Sequence, residues 1–146
     1  MWRRLLLTVG VAGAGLTGAA TEVGFDPDRA RINYMLNCQG CHLPAGEGVQ
    51  GAVPRMKGYV GNFLRVPGGR EFLVRVPGSA NSAIDDAQLA ELLNWMLVTM
   101  SPGELPEPWQ RFSAEEVGVL RRSPLREVEA VRAELVQRIE RSVGRP

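Results

Sequence analysis

The chain has few residues that bind soft metals. Its 146 residues include two cysteines, one histidine and a single lysine, Lys57. A structural zinc site normally uses four Cys or His ligands, so the cysteines and the histidine together are too few for one. The chain also lacks an excess of either charge, because its formal net charge is +1. This balance predicts no nucleic-acid partner, since such proteins carry a marked basic excess.

Both cysteines and the histidine stand in one pentapeptide, Cys38-Gln39-Gly40-Cys41-His42. C-x-x-C-H is the attachment motif of a c-type haem, in which both sulfurs bond the porphyrin and the histidine binds the iron. We therefore predict covalent haem on Cys38 and Cys41, with His42 as the proximal axial ligand. A thiol redox pair or a small disulfide loop stays open as an alternative. A Ser-His-Asp triad is excluded, because the only histidine is already used.

The first 20 residues have the pattern of a secretory signal peptide. Arg3 and Arg4 form the basic start, an apolar stretch runs from Leu5 to about Leu16, and small residues precede Ala20. We expect cleavage after Ala20 and a periplasmic, near-neutral mature chain. The alternative is an uncleaved membrane anchor, although the apolar stretch is short for a bilayer span of about 20 residues.

Helix signals recur through the middle of the chain. A helix is predicted over about 27–37, with Ile32, Met35 and Leu36 on an apolar face and Met35 as a core residue. Residues 43–53 read as a glycine-rich loop, after which the carbonyl of Pro54 is placed to accept from the His42 imidazole. Residues 70–76 favour a helix of about two turns over a strand, and 79–84 read as a polar loop. Asp85 and Asp86 begin a helix over about 85–99.

The C-terminal part has its own organisation. Residues 101–112 are rich in proline and read as an extended strap, with Trp109 and Phe112 as anchors. Ser113 and Glu116 form a capping box that begins a short helix to about Arg121. A second helix is predicted from Ser123 to about Ser142. These helices are interpreted as an extension docked on the domain, and the alternative is an arm that binds a partner.

Over about residues 25–100 the chain resembles the class I monohaem cytochromes c. The resemblance rests on a helix leading into CQGCH, followed by HLPAGEGVQGAVP, VPGGREFLVRVPG and a helix ending in LAELLNWML. It implies an all-α fold in which first and last helices cross, one covalent haem c and single-electron transfer. The expected organisation is signal peptide 1–20, cytochrome domain 21–100, strap 101–112 and helical extension 113–146.

The sixth iron ligand is not fixed by this resemblance. Such cytochromes usually place a methionine in the loop before the last helix, and here that loop contains none. Met100, Met56 and Met96 remain weak candidates. A vacant position stays equally open, and it would make the chain a five-coordinate protein that binds carbon monoxide, nitric oxide or peroxide.

An electron carrier is favoured over an enzyme, because no catalytic group can be assigned beside the haem. The expected partner is a redox protein, either a dehydrogenase (of which the chain could be a subunit) or a terminal oxidase or reductase. Contact with a membrane is expected only if the signal segment stays uncleaved.

Overall fold

The computed structural model describes residues 25–144, and every regular element in that range is helical apart from one backbone bridge between Val49 and Val53. The predicted all-α class is confirmed. The helices are α1 (Pro27–Asn37), α2 (Gln39–His42), α3 (Gly69–Arg75), α4 (Pro77–Ala80), α5 (Asp86–Met100), α6 (Ala114–Leu120) and α7 (Val128–Val143), with 3₁₀ turns at Val60–Arg65 and Pro102–Glu104. None of these helices is long and apolar enough to cross a bilayer. The predicted signal segment 1–20 lies outside the described range.

Helix α1 has the predicted bounds but buries a different face. Asp26 caps it by accepting from the backbone N–H groups of Asp28 and Arg29. The predicted apolar face is wrong: Met35, expected in the core, is 46% exposed and Leu36 is 77% exposed. Ile32 is exposed with them. The buried side chains of this helix are Ala30, Asn33 and Tyr34.

Tyr34 and a buried carboxylate explain this orientation of α1. The ring of Tyr34 packs against Trp95 of α5 with 5.5 Å between centroids, and its hydroxyl donates to the carbonyl of Leu43 at 2.6 Å. Glu91 of α5, only 8% exposed, accepts from the backbone N–H of Asp26 at 2.7 Å and from the Arg29 guanidinium at 2.7 and 2.8 Å. A buried carboxylate needs such partners, so α1 is held against α5 by them rather than by its aliphatic side chains.

The segment between the 3₁₀ turn Val60–Arg65 and α5 is more helical than the sequence indicated. The predicted two-turn helix is confirmed as α3, where Phe72, Leu73 and Val74 are buried. Residues 77–80, expected at a helix end and in a polar loop, form the one-turn helix α4. Pro77 occupies its first position, where proline's fixed φ suits a helix and its missing N–H is not needed.

The C-terminal helices are docked on the rest of the fold. Helix α6 follows the predicted cap, with Ser113 accepting from the N–H of Glu116 at 3.1 Å. The second helix begins at Val128 rather than at Ser123. The reason is that 123–125 is tied to α3: the Arg75 side chain donates to the Ser123 carbonyl and the Leu125 N–H donates to the Arg75 carbonyl. The extension buries Val117, Leu135 and Ile139.

The proline-rich strap is fastened to α5 at its end. Phe112 is buried, as expected of an anchor, and Trp109 packs partly buried against the core. The side-chain amide of Asn94 pairs with the Phe112 backbone, accepting from its N–H at 2.8 Å and donating to its carbonyl at 2.9 Å. Both bonds are buried, so the amide replaces the backbone partner that an extended segment otherwise lacks.

Replacing Asn94 with alanine should therefore lower the free energy of unfolding by about 3 kcal/mol, because it leaves a buried N–H and a buried carbonyl without partners. Urea unfolding measures the change. Thr99→Ala, an exposed change on the same helix, is the control and should shift stability by less than about 0.5 kcal/mol. Equal losses in the two variants would contradict the role assigned to the amide.

Candidate functional site

The C-x-x-C-H pentapeptide forms a tight helical turn directly after α1. The N–H of Cys38 donates to the Tyr34 carbonyl, and the N–H groups of Cys41 and His42 donate to the Cys38 carbonyl at 3.2 and 3.0 Å. Residues three apart on a helical turn share a face, so Cys38 and Cys41 are presented on one side. Cys38 is half-buried, whereas Cys41 is exposed.

This turn stands at the mouth of a cavity of about 350 Å³ that is lined mainly by apolar side chains. Cys38, Cys41 and His42 belong to its lining. Apolar walls come from the 3₁₀ turn Val60–Arg65, from α3 and from α5. They include Phe63, Phe72, Leu73, Leu89, Leu92 and Leu93. The volume lies within the range of about 300–1,000 Å³ typical of small-molecule and cofactor sites.

The orientation of the His42 ring is fixed by one hydrogen bond. Its Nδ1 lies 3.1 Å from the carbonyl oxygen of Pro54. A carbonyl only accepts, so Nδ1 carries the hydrogen and Nε2 is the nitrogen left with a lone pair for a metal. Burial lowers the pKa of His42, which favours the neutral imidazole that a metal ligand must be. The predicted contact between Pro54 and His42 is confirmed.

The loop after His42 uses several positive φ angles to return to Pro54. Leu43 has φ of +65°, and its carbonyl accepts from Tyr34 and from the N–H of Gly46. Gly48, with φ of +67°, donates its N–H to the His42 carbonyl. A β-carbon at Gly48 would clash with the carbonyl oxygen of Val53 and would lie 2.8 Å from the carbonyl oxygen of Pro54. Glycine at 48 therefore makes room for the group that orients His42.

Cys38 has the environment of an anchoring residue rather than of a reactive thiol. Burial, with a smaller contribution from Cys41, raises the pKa of the Cys38 thiol to about 11. Catalytic and redox-active cysteines have lowered pKa values, because the thiolate is the nucleophile. This environment disfavours the thiol-redox alternative. In residues 25–144 no cluster of three or more His, Cys, Asp or Glu side chains could hold a bare metal ion.

The lining also fits the amphipathic character of a haem. Most of the lining is apolar, and it includes two cations, Arg55 and Arg132. Arg132 comes from α7, is half-buried and has no ion pair with a described carboxylate. An unpaired cation on an apolar cavity suits a ligand with carboxylate groups, which a haem has in its propionates. The residues present therefore fit a haem joined to Cys38 and Cys41.

The candidate methionines are not equivalent in the structure. Met56 and Met96 belong to the cavity lining, whereas Met100 does not. Met100 is buried, and its sulfur lies 2.7 Å from the position that a β-carbon would take on Gly46. The structure thus brings Cys38, Cys41, His42, Met56 and Met96 to one cavity and leaves Met100 outside it.

Sequence reasoning missed the contribution of the C-terminal extension to the site. Val128 and Arg132 of α7 line the cavity. Arg132 is one of several arginines on that helix, and no local pattern separates it from those exposed to solvent. Its role follows only from where α7 docks.

An all-α fold with C-x-x-C-H at the mouth of an apolar cavity and a histidine oriented by a backbone carbonyl has the features of a c-type haem protein. No family model matches the chain. It is 30% identical over 116 residues to a cytochrome c-552 of Thermus thermophilus, in a match that covers 67% of this chain and 87% of the relative. A second cytochrome c-552 of the same species is also 30% identical over 116 residues and is covered to 77% of its length. The chain belongs to the cytochrome c family.

Proposed function

We propose that the chain carries single electrons through one haem bonded covalently to Cys38 and Cys41, with His42 as the axial ligand. The observation that supports this most strongly is the C-x-x-C-H turn at the mouth of the apolar cavity, with His42 Nδ1 held at 3.1 Å from the Pro54 carbonyl. When bound, the haem supplies a one-electron redox couple.

The chain's own residues would provide attachment, orientation and a dry environment. Cys38 and Cys41 anchor the macrocycle, and the Pro54 carbonyl keeps His42 in one tautomer and raises its basicity as a ligand. The apolar walls from α3 and α5 exclude water, and Arg55 and Arg132 balance the carboxylates. Cys41 is exposed, so the attached edge of the cofactor would face a partner over a short distance.

We further propose a periplasmic location and a redox protein as partner, either a dehydrogenase or a terminal oxidase or reductase. Covalent attachment and the N-terminal export pattern support the location. A near-neutral chain gains little from long-range steering, so recognition would be local. Exposed Met35 and Leu36, in the turn that leads into Cys38, support a partially apolar contact surface beside the haem edge.

Expression with a c-type haem maturation system tests the proposal. The natural chain should retain one haem per polypeptide on a denaturing gel and titrate as a single one-electron couple. The double variant C38S/C41S should retain none, because both thioether bonds are lost. Gln39→Ala, between the cysteines, is the matched control and should keep full haem content. A natural chain without covalent haem, or a double variant that retains it, would refute the assignment.

A further inference from the structure

One wall of the cavity carries no side chain that could bind iron. Residues 76–84 join α3 to α5, and the cavity-lining members of this stretch are Val76, Pro77, Gly78, Ser79, Ser82 and Ile84. The stretch contains no methionine, histidine, cysteine or lysine. We refer to residues 76–84 as the ligand-free wall.

The ligand-free wall is held in place by the C-terminal extension. Arg121, at the end of α6, donates to the carbonyl oxygens of Ala80, Ser82 and Ile84 at 3.1, 2.5 and 2.8 Å. The same guanidinium pairs with Asp86 at the start of α5. Three backbone carbonyls fixed by one side chain leave little freedom for this wall to rearrange.

The thioethers are gathered elsewhere, toward the C-terminal end of α5 and the loop that follows His42. The N–H groups of Met56 and Lys57 donate to the Gly46 carbonyl, so both residues are tied to that loop. Met100 is tied to it as well, because its carbonyl accepts from Gly58 and its sulfur packs on Gly46.

Met96 shares a face of α5 with Met100, one turn away. It lies ten residues beyond the first residue of α5, or about 15 Å along the axis from the end that meets the ligand-free wall. A protein group that completed the iron's coordination would have to lie across the cavity from His42, where residues 76–84 line it. Met56 and Met100 are held on the His42 side by their contacts with Gly46, and Met96 lies one turn from Met100 rather than beside residues 76–84.

From this arrangement, and on the basis of the covalent haem proposed above, we infer that the protein supplies no sixth ligand and binds a small uncharged ligand at that position. The ligand-free wall is mainly apolar, and the hydroxyl of Ser82 is already bonded to the Ser79 carbonyl and to Arg121. The hydroxyl of Ser79 bonds no described residue. An apolar surface with one free hydroxyl accepts a neutral diatomic molecule at lower desolvation cost than an anion.

Visible spectroscopy of the purified holo-protein, with carbon monoxide as the probe, tests the inference. The ferric form should be high spin and lack the far-red sulfur-to-iron charge-transfer band. The ferrous form should bind one carbon monoxide per haem. Met100→Leu, outside the cavity, keeps side-chain volume nearly constant and should leave spectrum and binding unchanged. Met56→Leu and Met96→Leu, in the cavity lining, should still give a high-spin ferric form and a ferrous form that binds one carbon monoxide per haem.

A low-spin ferric spectrum with a ferrous form inert to carbon monoxide would overturn the inference. Loss of a far-red band in one leucine variant would do so as well, and would identify that methionine as the ligand. A denaturing gel on the same samples separates the two proposals. Covalent haem that is inert to carbon monoxide refutes the open position alone, whereas absence of covalent haem refutes the proposed function.

Discussion

Replacing Arg121 with leucine should lower the free energy of unfolding of the holo-protein by about 3 kcal/mol, since three carbonyls lose their donor together. The Arg121 side chain is 15% exposed, so little water can replace it without opening the contact between α6 and the ligand-free wall. Thermal unfolding of the natural and variant proteins measures the change, which should reach about 10 °C in the midpoint.

The neighbouring arginine offers a matched control. Arg122 is exposed and has no ion pair within residues 25–144, so Arg122→Leu should change stability by less than about 0.5 kcal/mol. Arg121→Lys should recover only part of the loss, because an ammonium cannot present the planar set of donors that reaches several carbonyls. Equal stability of the Arg121 and Arg122 variants would refute the clamping role.

Alanine at Gly48 should lower the free energy of unfolding by about 3 kcal/mol, through left-handed backbone strain and through crowding of the Val53 and Pro54 carbonyls. The added β-carbon would meet the carbonyl oxygen of Val53 first and would lie 2.8 Å from that of Pro54, so the backbone at 53–54 must move. Because the Pro54 oxygen holds His42, the reduction potential of the holo-protein should shift as well, and redox titration measures it.

A substitution at Gly51 distinguishes the effect of backbone strain from the effect of crowding. It has φ of +77°, similar to Gly48, but a β-carbon there would meet nothing within 4 Å. Gly51→Ala should cost only the conformational term, about 1 kcal/mol, and leave the potential unchanged. If both variants shifted the potential equally, the effect would belong to the loop's flexibility and not to the Pro54 carbonyl.

The parts of this fold that could be predicted are those with a local physical cause. Asp26 with Pro27, Asp85 and Ser113 are capping residues, and each stands immediately before a helix in the structure. The haem motif depends on residue spacing alone. The contact of Pro54 with His42 could be anticipated because the loop between them is short and rich in glycine.

The parts that could not be predicted depend on how distant segments meet. Helix α1 has its aliphatic side chains exposed because Tyr34 and the partners of Glu91 determine its rotation, and periodicity carries no information on either. Residues 123–125 favour a helix locally, yet their backbone forms hydrogen bonds with Arg75 of α3 instead. Arg121 and Arg132 look like ordinary surface residues, and only the docking of α6 and α7 gives them roles.

The cavity wall contributed by α7 has a consequence for the order of maturation. In a chain made from its N-terminus, residues 38–42 exist long before Val128 and Arg132, which complete the cavity. Until α7 docks, the cavity is open on the side that Val128 and Arg132 later line, and an attachment enzyme can reach the half-buried Cys38 more easily than in the finished fold. We therefore expect the haem of the proposed function to be attached before α7 docks, so that docking of the C-terminus closes the cavity around a bonded cofactor.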